Sequence, residues 1–138
     1  MDLLIDTNII IDILQNRPLF VENSQKIISA INNKQFRGFI AAHSITNLWY
    51  ILRKTHTQEK RRELILTLLD FFEIVSLSKQ KLINALLRKD FLDFEDCLQD
   101  ECAIEFCADY IITRNPKDFN NSKVSAITPE EFIKLKDM

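Results

Sequence analysis

The chain has 138 residues, 46% of them hydrophobic and 28% charged, with a formal net charge of -2. That is enough for one domain, residues 1–138, with a buried core, and too little positive charge for a protein whose main task is to grip nucleic acid backbone. A single glycine excludes GxGxxG and the Walker loop, because each needs several glycines to bring backbone close to phosphate.

Met1 to Ile5 reads as a buried strand running straight into Asp6. Asn8 to Gln15 follows as a helix with Ile9, Ile10, Ile13 and Leu14 at apolar positions, broken by Pro18. Val21 to Asn32 is an amphipathic helix carrying Ile27, Ile28 and Ile31, and Gly38 to Ala41 is a short second strand. Ser44 to Thr55 is a third helix with Ile45, Leu48, Trp49 and Leu52 on one face. Thr57 caps a fourth, whose apolar face holds Leu64, Ile65, Leu68 and Leu69. Phe72 to Val75 is a third strand, and Ser78 starts a helix through Leu82, Ile83, Leu86 and Leu87. Asp93 to Ala108 is helical, Tyr110 to Thr113 is a strand, and Lys123 to Ala126 is a last short one. Thr128-Pro129-Glu130-Glu131 has the cap, the first-turn proline and the glutamate of a helix start.

Strands alternating with helices predict an α/β fold in three layers, with a mostly parallel sheet of four or five short strands between helices. No apolar run is long enough to span a bilayer, and the first residues lack the pattern of a signal peptide, so the expected location is the cytoplasm. Cys97, Cys102 and Cys107 do not have zinc spacing, and their odd number speaks against a disulfide framework; buried free thiols are expected.

Asp6 at the end of the first strand stands where open α/β sheets build their sites. Taken singly, it could be only a helix cap, Asp96 only a first-turn acid of the helix begun at Asp93, and Asp118 only a turn residue. Together they say more. Asp6 and Asp118 follow different strands at one expected edge of the sheet, and Asp96 opens the helix leading into the second of those strands. Converging carboxylates repel one another unless a cation sits between them. Hard oxygen ligands without nearby His or Cys favour Mg²⁺ or Mn²⁺. His43 and His56 have no carboxylate at ligand or triad spacing.

Leu4-Ile5-Asp6-Thr7-Asn8, Ser44-Ile45-Thr46-Asn47-Leu48, Asp93-Phe94-Glu95-Asp96, Thr113-Arg114-Asn115-Pro116-Lys117-Asp118-Phe119 and Thr128-Pro129-Glu130-Glu131-Phe132 stand in one order along the chain. In that order they resemble the PIN domain, close to VapC-like toxins and related small single-domain PIN proteins. The resemblance implies a metal-dependent endoribonuclease, the toxin of a toxin–antitoxin pair, acting on RNA. It implies Mg²⁺ or Mn²⁺ held by Asp6, Asp96 and Asp118, with Asn115 or Asn47 assisting. It also implies that Thr7, Asn8 and Thr113 hold these ligands by hydrogen bonds.

The resemblance has one departure: PIN nucleases usually carry a glutamate early in the third helix, where this chain has Asn47. An amide oxygen coordinates Mg²⁺ but brings no charge, and one charge pair at ~4 Å is worth about 4 kcal/mol at an effective dielectric of about 20. Asn47 therefore supports an alternative, a PIN-fold binding or regulatory module with a weakened or lost nuclease site. A haloacid-dehalogenase phosphatase also starts with a strand ending in Asp, but wants a second Asp where Asn8 stands. Arg114 and Lys117, flanking the site, are expected to contact RNA phosphate, whereas Arg53, Lys54, Lys60, Arg61 and Arg62 read as a solvated helix face. The resemblance further suggests a cognate antitoxin and a homodimer; Trp49, Tyr50, Phe71 and Phe72 are candidates for such a surface, but core packing is the expected role for most of them.

Overall fold

A computed structural model describes residues 1–138. Five strands, β1 (Asp2–Ile5), β2 (Arg37–Ala41), β3 (Glu73–Val75), β4 (Tyr110–Ile112) and β5 (Ala126–Ile127), pair in parallel in the order β3-β2-β1-β4-β5. In the central register Leu4 pairs with Phe39 on one side and Ile111 on the other. Side chains alternate across a strand, so the sheet divides two cores. Leu3, Ile5, Ile40 and Ile112 enter one of them; Leu4, Phe39, Ala41 and Ile111 enter the other. This explains why β1 is apolar without alternation: it is covered on both faces.

Helices α1 (Thr7–Leu14), α2 (Val21–Asn32), α3 (Ala42–Ile51) and α7 (Pro129–Leu135) supply Ile9, Ile27, Leu48 and Phe132 to the first core. On the other face α6 (Phe94–Glu105) packs Cys102 and Ala103 into the second core, and α5 (Lys79–Leu87) packs Ala85 against α6 at Cys97 and Leu98. Helix α4 (Gln58–Phe71) follows a short 3-10 turn, Leu52–Lys54. The result is the expected three-layer α/β/α arrangement with a parallel sheet. No helix is long and apolar enough to cross a membrane.

The chain ends its helices without glycine, its one glycine lying in β2. Asn16, Lys34, Cys107 and Asp137 adopt positive φ. Each follows a helix at the place where a left-handed residue lets the backbone turn back. After α6, Ala108 N–H donates to Ala103 O and Cys107 N–H to Ile104 O, the paired bonds of a Schellman stop. That stop ends the helix at Glu105 rather than at Ala108, and it leaves Cys107 exposed; only Cys97 and Cys102 are buried thiols.

Other expectations need correction. The last strand is Ala126–Ile127, not Lys123 to Ala126, because the N–H groups of Lys123 and Val124 donate to the buried Asp100 carboxylate instead of to the sheet. The third helix stops at Ile51 and tightens into the 3-10 turn before Thr55. On α5 the predicted apolar face is turned outward. Leu82, Ile83, Leu86 and Leu87 are exposed, while Ala85 and the Lys81 stem are buried, the ammonium held by Ser76 O and Glu105. Helix α4 buries none of its residues fully, and Leu69 on its predicted apolar face is exposed. Phe72 lies in the core, as expected for most of the large aromatic side chains, whereas Tyr50 is exposed.

The lone glycine marks a close approach. A Cβ at Gly38 would lie 2.8 Å and 2.9 Å from two Phe72 ring atoms and 2.9 Å from Ile31 Cδ1. Gly38→Ala should therefore lower the unfolding free energy by about 1–3 kcal/mol in a urea titration. In the double variant with Phe72→Leu, the losses should be less than additive, because the ring is the obstacle.

Candidate active site

Strand order reverses between β1 and β4, the kind of switch point where the loops beyond the strand ends separate and leave a crevice. Asp6 follows β1 directly, with its N–H donating to Ile112 O at 2.9 Å. Helix α3 leaves the carboxyl end of β2 beside it. Helix α6 precedes β4 and so starts at the same edge. One cleft there is lined by Asp6, Thr7, Asn8, His43, Asn47, Glu95, Asp96, Gln99, Asn115 and Asp118, with Ile11 and Ile51.

Asp6 is buried and its orientation is fixed. Oδ1 accepts the Thr7 N–H at 2.8 Å and Gln99 Nε2 at 3.4 Å; Oδ2 accepts the Thr113 hydroxyl at 2.7 Å. Capping α1 and facing the cleft are thus compatible tasks. Thr113 Oγ1 also accepts the Asn115 N–H at 3.2 Å and Asn8 Nδ2 at 3.5 Å, and Asn8 Oδ1 accepts the Arg114 N–H. Thr7 Oγ1 bonds to Ser44 Oγ at 2.8 Å, and Gln99 Nε2 donates to the same oxygen at 2.8 Å. Ser44 therefore ties α1, α3 and α6 together under the cleft.

Asp96 stands in the first turn of α6, its N–H donating to the Asp93 cap at 2.9 Å. Asp118 lies in the 3-10 turn Pro116–Phe119, whose Asn115 carbonyl accepts the Asp118 N–H. Burial comes first among the causes that push the Asp96 carboxyl up to about 7, followed by the charges of Asp93, Asp6, Asp118 and Glu95. Burial also raises Asp6, against the hydrogen bonds from Thr113 and Thr7, with Asp118 adding to the rise. Burial holds His43 below the ordinary histidine range, so the ring is neutral near pH 7.

The carboxylate and amide oxygens of this cleft fit a hard divalent cation, and the one imidazole on its wall, His43, has its Nε2 engaged by the Glu95 carbonyl oxygen. No three His, Cys, Asp or Glu side chains form a ready-made metal cage, as expected for like charges with nothing between them. Gln99 adds a second mark of fit. It is 2% exposed, and its Oε1 has no hydrogen-bond partner.

Two expected RNA contacts part company. Lys117 lines a hollow that shares Asp96 and Asp118 with the cleft. Arg114 does not line the cleft: its guanidinium bonds to the fully buried Asp12 at 2.7 Å and lies over the Phe20 ring. Sequence reasoning missed Asp12, whose burial needs Arg114 and Arg17 as counter-charges. It also set His43 aside as incidental and gave no site role to Ser44, Glu95 or Gln99. Helical spacing held the signal for Gln99, three residues beyond Asp96 on one helix face.

The raised Asp96 carboxyl has a consequence for stability. It binds its proton more tightly folded than unfolded, so stability should fall as pH rises from about 4 to about 7 and then level off. In EDTA, the stability of Asp96→Asn minus that of the parent should grow across that window. A difference that stays flat in urea titrations would refute the raised Asp96 carboxyl.

The PIN domain profile matches residues 2–117. The chain is 28% identical over 133 residues to Ribonuclease VapC1 of Aquifex aeolicus, covering 93% of this chain and 90% of that protein. In fold it is similar to VapBC2 from Rickettsia felis, solved with a DNA fragment from its promoter, at TM-score 0.73 and 19% identity over 93% of this chain and 98% of that one. DNA-bound VapBC from Salmonella typhimurium gives TM-score 0.74 and 16% identity over 94% and 98%. With its strand order, its crevice between β1 and β4 and this match along most of its length, the chain belongs to the PIN domain family.

Proposed function

We propose that this chain is an endoribonuclease that depends on Mg²⁺ or Mn²⁺, hydrolyses RNA phosphodiester bonds, and serves in the cytoplasm as the toxin of a toxin–antitoxin pair. The observation that carries the reading is the gathering of Asp6, Asp96 and Asp118 around one cleft at the strand-order switch. Family membership supports it, as does the ribonuclease named among the relatives. A bound divalent ion supplies an acidified water and charge stabilisation at a phosphodiester.

The chain's own residues do the rest. Thr113, the Thr7 N–H and Gln99 hold Asp6 in one orientation. Asp96 and Asp118 add negative charge from two further elements, with the Asn47 and Asn115 side chains at hand in the same cleft. Lys117, which lines a hollow with Asp96 and Asp118, takes a substrate phosphate in this reading. Pairing with an antitoxin, and with a second copy of the chain, finds support in the apolar residues left exposed on α5.

The alternative, a module without nuclease activity, draws on Asn47. The two readings differ in linkage: a working site raises the melting temperature when Mg²⁺ or Mn²⁺ is added, and a decayed one does not. For the enzyme, Asp6→Asn should reduce Mn²⁺-dependent RNA cleavage at least about 100-fold. Purified parent protein that leaves RNA intact with either ion, and behaves as its Asp6→Asn variant does, would refute the proposal.

A further inference from the structure

Helix α3 grips the first turn of α6 at one residue. His43 Nε2 lies 3.2 Å from the Glu95 carbonyl oxygen, and Asn47 Nδ2 donates to Glu95 Oε2 at 3.2 Å. A carbonyl only accepts, so Nε2 carries the proton of the His43 ring. His43 and Asn47 stand one helical turn apart and face the same neighbour. Between them they fix both the backbone and the carboxylate of Glu95.

An exposed first-turn glutamate needs no such restraint. The α6 terminus already has its Asp93 cap, and a glutamate in solvent would serve the helix dipole as well. Instead the Glu95 carboxylate is drawn to α3, where Asn47 lines the cleft that Glu95 shares with Asp6, Asp96 and Asp118. Gln99 is a separate observation on the same cleft. Its amide nitrogen bonds to Ser44 and Asp6, while its oxygen, in a side chain 2% exposed, has no donor. A buried acceptor at the wall of a cleft calls for an electropositive partner, which a cation or a water proton supplies.

We propose that Glu95 is a fourth carboxylate of the cation site, held toward the cleft by the Asn47 amide, so that α6 supplies the negative charge that α3 lacks. The inference rests on the reading of this cleft as a divalent-cation site. Asn47 is then a positioning residue, acting through Glu95.

Calorimetric titration of the full chain with Mn²⁺ alone tests it, with unfolding temperatures in EDTA reporting the fold of each variant. Glu95→Gln should weaken Mn²⁺ binding about tenfold or more. Asn47→Ala should weaken it less, and should add nothing when Glu95→Gln is already present. The exchange variant N47E/E95Q, which moves the carboxylate to α3 and the amide to α6, should regain most of the affinity. Unchanged binding in Glu95→Gln, with binding lost in Asp6→Asn, overturns the role of Glu95 and leaves the cation site standing. An Asn47→Ala effect of equal size with and without Glu95 overturns the positioning role. A parent chain that binds no Mn²⁺ overturns the cation site and Glu95 with it.

Discussion

Everything at the cleft depends on keeping one buried carboxylate, Asp6, oriented at the end of the central strand. Burial disfavours its charge, and the chain answers with donors from three places: the Thr7 N–H on α1, the Thr113 hydroxyl after β4 and the Gln99 amide on α6. A carboxylate bonded this way has little freedom to turn. Its position is set by the sheet, because Asp6 N–H closes the last bond of β1 to Ile112. Sequence makes the strand, the strand fixes the acid, and the reversal of strand order opens the crevice before it.

Two further buried acids brace the elements that carry the other site residues. Asp12 on α1 bonds Arg114 just beyond β4, tying the helix after Asp6 to the loop that leads to Asp118. Asp100 on α6 accepts Lys123 and Val124 N–H and pairs with Arg88, whose guanidinium also donates to Asn121 O. Both ends of the segment around Asp118 are thereby fastened to helices. Removing one partner of either buried pair leaves an uncompensated charge, which is far costlier than the net worth of the pair.

The fold was largely legible because β1 and β4 are short apolar runs, the helices carry caps such as Thr57, Ser78 and Thr128, and the elements alternate. Asp6, Asp96 and Asp118 were legible as a group for the same reason: topology alone brings strand ends and a helix start to one edge. What escaped was decided by tertiary partners. Asp100 diverted Lys123 and Val124 from the last strand. A cysteine, not a glycine, took the left-handed stop after α6. Lys81 went inside on α5 while four leucines and isoleucines faced out. Arg114 looked free beside the site and was already committed to Asp12, a residue with no local signal of burial.

A position-by-position reading of Asn47 leaves out its partner across the cleft. The field at a bound cation is a sum over carboxylates within a few ångströms, whatever element carries them. Read along the chain, Asn47 is a lost charge. In the fold its amide meets a carboxylate 48 residues away. An amide can donate where a glutamate cannot, so an asparagine on α3 attracts the very carboxylate that a glutamate there would repel. Asn47 and Glu95 therefore form a unit whose charge equals that of a glutamate on α3 facing an amide on α6. The first turn of α6 is the favourable place for that charge, since the helix dipole there opposes part of the repulsion among the acids.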